Sequence, residues 1–204
     1  MGHLGFAFSA AILLFGTLGC SPRFDSRGKP SDDGKTIAEW VALSTDGPVS
    51  DRTTAVGTLA NIQRSGNADP RIVPALVKAL DDDAPDVRCV AAAAFLVVGT
   101  EGSAAGVRLL QLLDDKVAIV RRAAAESIPH VGVPAVDAVP RLTRMLDDDN
   151  HLVRVWTANA LAKYGPDAKA AIPRMETMSL NEESPAARNL VKEAIRKIRG
   201  TDDG

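Results

Sequence analysis

PRIVPALVKALDDDAPDVRCVAAAAFLVVG, residues 70–99, decides the fold. From Pro70 to Leu80 the apolar residues Ile72, Val73, Leu76, Val77 and Leu80 recur at helical spacing and line one stripe. Pro74 lies early in this segment, where losing a backbone donor costs least. The acidic turn Asp81-Asp82-Asp83-Ala84-Pro85 follows, and its carboxylates can accept backbone N–H groups at the opening of the next helix. The second segment, Asp86 to Val98, is apolar or alanine almost throughout, apart from Arg88. A helix apolar all round has neighbours on most sides. Gly99 then stops it, in the left-handed conformation that a helix C-cap favours.

Adding 33 to these positions regenerates the pattern. Gly66, Gly99, Gly132 and Gly165 form one column, and Pro74, Val107, Pro140 and Pro173 another. Leu76, Leu109, Leu142 and Met175 align, as do Leu80, Leu113 and Leu146. Asp81, Asp114 and Asp147 come next, then Asp82, Asp115 and Asp148. Val87, Val120 and Val153 are each followed by arginine: Arg88, Arg121 and Arg154. A fixed period of this length is the signature of stacked helix pairs, in which no unit buries its own apolar face alone. The fold predicted is all-α, a solenoid of about five helix pairs over 36–66, 70–99, 103–132, 135–165 and 168–199.

The ends depart from the pattern. The first unit lacks the aspartate run and the Val-Arg pair in register, since Asp51-Arg52 brings its arginine 36 residues before Arg88 rather than 33. The last helix is read as starting with Ser184 at the N-cap and Pro185 at the first helical position. Its buried side is assigned to Ala187, Leu190, Val191, Ala194, Ile195 and Ile198, and its polar side to Lys192, Glu193, Arg196, Lys197 and Arg199. Terminal units need such a polar face because no further repeat covers them.

The chain has 204 residues, is 46% hydrophobic and only 4% aromatic, and carries a formal charge of -2 with both signs intermixed. Alanine supplies much of the apolar fraction and suits closely packed helices. With no basic field large enough for a phosphate backbone, nucleic acid is not an expected partner.

Residues 1–22 contain no Lys, Arg, Asp or Glu, and Gly5 to Leu18 is dominated by Phe, Ala, Ile and Leu. Residues 1–20 are read as an export signal, set aside from the fold. Thr17-Leu18-Gly19-Cys20-Ser21 resembles a bacterial lipoprotein processing site, which makes Cys20 the expected lipid attachment point. An uncleaved membrane anchor, with Leu4 to Pro22 just long enough to span, and plain secretion are the alternatives. The expected location is the bacterial cell envelope, lipid-anchored and facing the periplasm. Residues 21–35 are polar, with Gly, Pro and Ser, and are expected to be a flexible linker. The repeat domain is placed at 36–199 and a disordered tail at 200–204. Cys20 and Cys89 are the only cysteines, so no disulfide framework is expected.

The repeat columns resemble HEAT repeats, specifically the short bacterial kind named after the phycobilisome lyase HEAT-like family. The matching motif is a proline-bearing first helix, an aspartate turn, and Asp-x-x-Val-Arg-x-x-Ala spacing that ends in glycine. It stands here as Asp83–Arg88 with Ala91 to Gly99, Asp115/Lys116–Arg121 with Ala124 to Gly132, and Asp149–Arg154 with Thr157 to Gly165. Thr157 departs at an alanine position, and Lys116 at the last aspartate of the turn. The resemblance is strong over residues 70–165 and weaker to either side. It implies a right-handed superhelix related to armadillo repeats, with second helices on the concave face, and a role in protein binding or scaffolding. A minority of the family attaches bilin pigments to light-harvesting proteins, but the repeat motif marks structure and does not carry that chemistry over.

Candidate chemistry is sparse. Aspartate clusters one repeat apart do not converge as calcium requires, so no metal site is expected; capping and pairing with the arginine column account for them. Arg88, Arg121 and Arg154 are read as mainly structural, while Arg122, outside the column, is read as freer to serve a partner. His3, His130 and His151 are too scattered for a catalytic set, and no nucleophile elbow, HExxH or phosphate loop is present. Trp156 and Tyr164 share a helical stripe with Val153 and Ala160, which reads first as core packing; either can instead anchor a partner, and Trp40 is open to the same two readings. The expectation is a protein-binding or scaffolding module without catalytic residues, cofactor or small-molecule substrate. Its candidate contacts are Arg88, Arg122, Arg154 and Trp156. The alternatives are a bilin lyase-like enzyme or pigment-protein assembly factor, and a structural spacer in the envelope.

Overall fold

The computed structural model describes residues 34–66 and 69–200, and all regular structure among them is helical. The predicted signal, the Cys20 attachment point and nearly all of the predicted linker and tail lie outside these residues. The chain divides into two compact units, one ending at Ala94 and the next beginning at Phe95.

The first unit holds α1 (Ile37–Asp46), α2 (Val49–Arg64), α3 (Ile72–Ala79) and most of α4 (Pro85–Val98). Thr36 opens α1 with a capping box: its hydroxyl accepts from the Glu39 N–H, and the Glu39 carboxylate accepts from the Thr36 N–H at 2.6 Å. The α1, α2 and α3 helices pack on one another around Val56, Leu59, Ile72 and Leu76, all fully buried. Trp40 is buried here, with Lys35 stacked over its ring. The α3 helix starts two residues later than the spacing predicts. Asp69 explains this, because its carboxylate accepts from the Arg71 N–H and holds Pro70 and Arg71 in the preceding turn.

The second unit continues through a 3-10 turn (Gly99–Ala105) into α5 (Gly106–Leu112), α6 (Ala118–Ser127), α7 (Ala135–Met145) and α8 (His151–Ala162). A second 3-10 turn (Gly165–Ala171) leads to α9 (Ile172–Asn181) and α10 (Pro185–Arg199). Within each pair the helices pack together, α5 on α6, α7 on α8 and α9 on α10. Second helices also pack on their successors, α6 on α8 and α8 on α10, which sets three of them side by side. The glycine column does what its spacing predicts: Gly66, Gly99, Gly132 and Gly165 have φ of +89°, +64°, +75° and +53°. A side chain is strained in that conformation, so the column recurs wherever a second helix must stop and reverse.

The last helix opens as read, with the Ser184 hydroxyl accepting from the Ala187 N–H and Pro185 at the first position. One assignment on it is corrected. Leu190, expected on the buried side, is 59% exposed. The buried arc consists of Ala187, Val191, Ala194, Ile195 and Ile198, and Leu190 falls just outside it.

Candidate functional site

Two groups of charged side chains with different surroundings occur in the helix pairs. The first is the arginine column. In the second unit Arg121 donates from Nη1 to the carbonyls of Asp115 and Lys116, at the turn just before its own helix. Its Nε and Nη2 form a fork onto both carboxylate oxygens of Asp148, at 2.6 and 2.7 Å, and Nη2 also reaches Asp149. Asp148 in turn accepts from the Asn150 N–H. Burial pushes the Asp148 carboxyl upward, but the Arg121 and Asn150 hydrogen bonds outweigh it and hold the group below the usual carboxylate range.

Arg154 repeats the carbonyl contacts, to Asp148 and Asp149, and its Nε reaches Glu182 at 2.6 Å. Arg188 repeats them again, to the carbonyls of Glu182 and Glu183. In the first unit Arg52 donates to the Gly47 carbonyl and forks onto Asp82, with Asp83 as a further partner. Arg88 donates to the carbonyls of Asp82 and Asp83. The bonding of Arg52 and Arg188 escapes the 33-residue column because the spacing slips there to 36 and 34. The signal that locates them is an arginine five or six residues beyond a turn carbonyl.

These bonds also fix the register of the three adjacent second helices. Arg121, Arg154 and Arg188 make the same carbonyl contacts, so positions correspond at +33 from α6 to α8 and at +34 from α8 to α10. The side chains that α8 turns away from its core are Leu152, Trp156, Asn159 and Lys163, at intervals of four, three and four. By register they stand between Ile119, Ala123, Glu126 and His130 on one side and Ala186, Leu190, Glu193 and Lys197 on the other. Rows therefore cross the three helices: apolar, aromatic-apolar, acid-amide, and basic.

The second charged group is set into this face. Arg122 is only 6% exposed and Glu126 5%. Their closest approach is 3.7 Å, beyond a hydrogen bond, and the buried Nε of Arg122 has no hydrogen-bond partner among the described residues. The Arg122 guanidinium instead lies over the Trp156 ring, 5.0 Å from its centroid. Burial raises the Glu126 carboxyl, against the opposing charges of Arg122 and Lys163. Burial likewise lowers His130, assisted by Lys163.

The structure thus separates the sequence candidates. Arg122 and Trp156 meet on the second-helix face, although Arg122 is buried rather than loosely held. Arg154 lies at the turns, bonded to Glu182 and two carbonyls, and Arg88 is bonded at its own turn. Cys20 lies outside the described residues. Tyr164 is half-buried and donates to the Val133 carbonyl at 3.0 Å, with its phenol raised by burial. Sequence reasoning missed Glu126 and the exposed leucines Leu152 and Leu190. The alternating spacing on α8 could have pointed to Leu152, and its +34 image to Leu190.

A cavity of about 380 Å³ opens beside the Arg154 rung, lined by Leu146, Asp148, Arg154, Arg174, Met178 and Glu182 among others. Its charged groups already bond one another: Arg154 with Glu182, and Arg174 with Asp147. Among the described residues no three His, Cys, Asp or Glu side chains are grouped to hold a metal ion.

The chain matches the family described as HEAT repeats over residues 37–128 and again over 106–196. It matches no curated protein. Among solved structures it resembles an engineered protein at 21% identity and TM-score 0.63, covering 80% of this chain and 79% of the other. A designed armadillo repeat protein matches at 21% identity and TM-score 0.59, over 79% of this chain and 82% of that one. Another, solved in complex with the peptide (KR)4, matches at 22% identity and TM-score 0.57, over 79% and 81%. The fold class these likenesses show is the all-α right-handed solenoid of helix pairs.

Proposed function

Because the chain belongs to the HEAT repeat family, we propose that it is a non-catalytic protein-binding module that holds a partner segment across α6, α8 and α10. The observation that carries this is the second-helix face itself. Trp156 lies half-buried under the Arg122 guanidinium, with the leucines near it on the face, Leu152 and Leu190, left 42% and 59% exposed. Half-buried aromatic groups ringed by such contacts are the usual anchors of an interface. The peptide held by the similar designed armadillo repeat protein supports a peptide segment as the class of ligand.

The test is a photocrosslinking residue placed at Asn159, at the centre of the face, or at Arg141, exposed on the first helix α7. In native cells the Asn159 position is expected to capture a discrete partner that Arg141 does not. Capture from Arg141 alone, or equally from both, overturns the assignment. We also propose that the module is exported and tethered by lipid at Cys20, on the support of the uncharged run that ends in Leu18-Gly19-Cys20. Unchanged membrane fractionation of Cys20→Ala would remove that part and leave the binding face untouched.

A further inference from the structure

We propose that the partner segment is an acidic amphipathic helix, which lays its apolar stripe on Leu152, Trp156 and Leu190 and directs its carboxylates to Lys163 and Lys197. This rests on the protein-binding reading above and adds the chemistry of the occupant.

Charge complementarity argues for it first. On this face the carboxylates are already answered: Glu126 faces Arg122, and Glu193 pairs with Arg196 and Lys197. Lys163, by contrast, is exposed and makes no ion pair with any described residue. Arg122, Lys163 and Lys197 stand against Glu126 and Glu193, so the face is short of anions. A basic peptide such as (KR)4 would meet this excess of like charge, whereas an acidic segment relieves it.

Geometry argues for a helix. Trp156 and Lys163 on α8, like Leu190 and Lys197 on α10, are seven residues apart, roughly 10 Å at 1.5 Å per residue, which is about the diameter of one α-helix, and Leu152 lies one turn beyond Trp156 on the apolar side. Crossing three helices packed about 8–10 Å apart requires a span of roughly 20 Å. A helix of about thirteen residues covers that length. Its apolar edge would take Leu152 and Leu190 out of water, and the other edge would reach the lysines.

The experiment uses the full chain and a phage-displayed library of sixteen-residue peptides on an alanine-rich helical frame, with one face randomised. Selection is expected to enrich leucine or aromatic residues at i, i+4 and i+7 beside aspartate or glutamate. Binding of the selected peptides should weaken at least tenfold with Leu190→Ser or Lys163→Glu, and with rising salt. Both substitutions are at exposed positions, and an unchanged helical circular dichroism spectrum and melting curve would show that the variants fold. Enrichment of basic peptides overturns the proposal, as does acidic-peptide binding that neither substitution alters. No enrichment at all overturns it too. If Asn159 crosslinks to a native partner in any of these cases, the binding face stands and only its chemistry falls. Without that crosslink, both fall.

Discussion

The arginine rungs and the second-helix face put the same residue types to opposite uses. At the rungs, Arg121 spends its donors on two carbonyls and a forked Asp148 pair, with Asp149 beside it. On the face, one residue along the same helix, Arg122 is more deeply buried yet meets its carboxylate only at 3.7 Å and rests on Trp156 instead. Satisfied buried charges hold a structure in register, while unsatisfied ones cost free energy that folding alone does not recover. The difference separates the framework of this molecule from its interaction surface. It also predicts that substitutions in the two places will fail in different ways.

The largest effect is expected at Arg121→Ala, which strips a nearly buried Asp148 of its counter-charge. A loss of about 2–3 kcal/mol is expected in urea unfolding at pH 7, for a pair nearly but not wholly removed from water. The pH dependence follows from the same carboxylates. The Asp82 and Asp148 carboxyls are held below their unfolded value of about 3.9, so their contribution is complete above roughly pH 4. It is lost as pH falls through the depressed folded values. Unfolding at pH 3 should therefore show lower stability than at pH 7, and Arg121→Ala should lose the part of that dependence that Asp148 supplies.

Arg154→Ala is expected to cost less, about 1–2 kcal/mol, because Glu182 alone answers its side-chain charge and the arginine is 23% exposed. If Arg154 is framework, any weakening of partner binding in that variant will disappear at temperatures where it is fully folded. Binding lost by a fully folded Arg154→Ala protein would move the residue to the interaction surface.

Thr157→Val tests the face from below. The Thr157 hydroxyl is fully buried and has no hydrogen-bond partner among the described residues, so its replacement by a methyl is expected to raise stability by up to about 1 kcal/mol. A loss would mean that the hydroxyl is satisfied in solution. Arg174→Ala should do least, within about 0.5 kcal/mol, since both it and Asp147 are half-exposed. A larger change would place the cavity beside them within the framework.

The columns of glycine and of aspartate followed by Val-Arg made the helix pairs legible, because each answers a local demand: a left-handed stop, a capped turn, a bonded carbonyl. Ser184-Pro185 was legible for the same reason. Arg52 and Arg188 were not, since a slip of one to three residues in the turn hides the spacing although the bonding is unchanged. Leu190 was misassigned because helical periodicity finds an apolar arc but cannot say where its edge lies. The position of Arg122 outside the arginine column marks it as freer to serve a partner but says nothing about what the neighbouring helix sets against it.

From its residues alone this chain dictated helices, their pairing and where each one stops, because turns and caps depend on atoms a few residues apart. Which charges became framework and which were left for a partner was decided only when α6, α8 and α10 came side by side. That choice depends on distances between side chains more than 30 residues apart, such as the 5.0 Å from the Arg122 guanidinium to the Trp156 ring, and no local pattern encodes them.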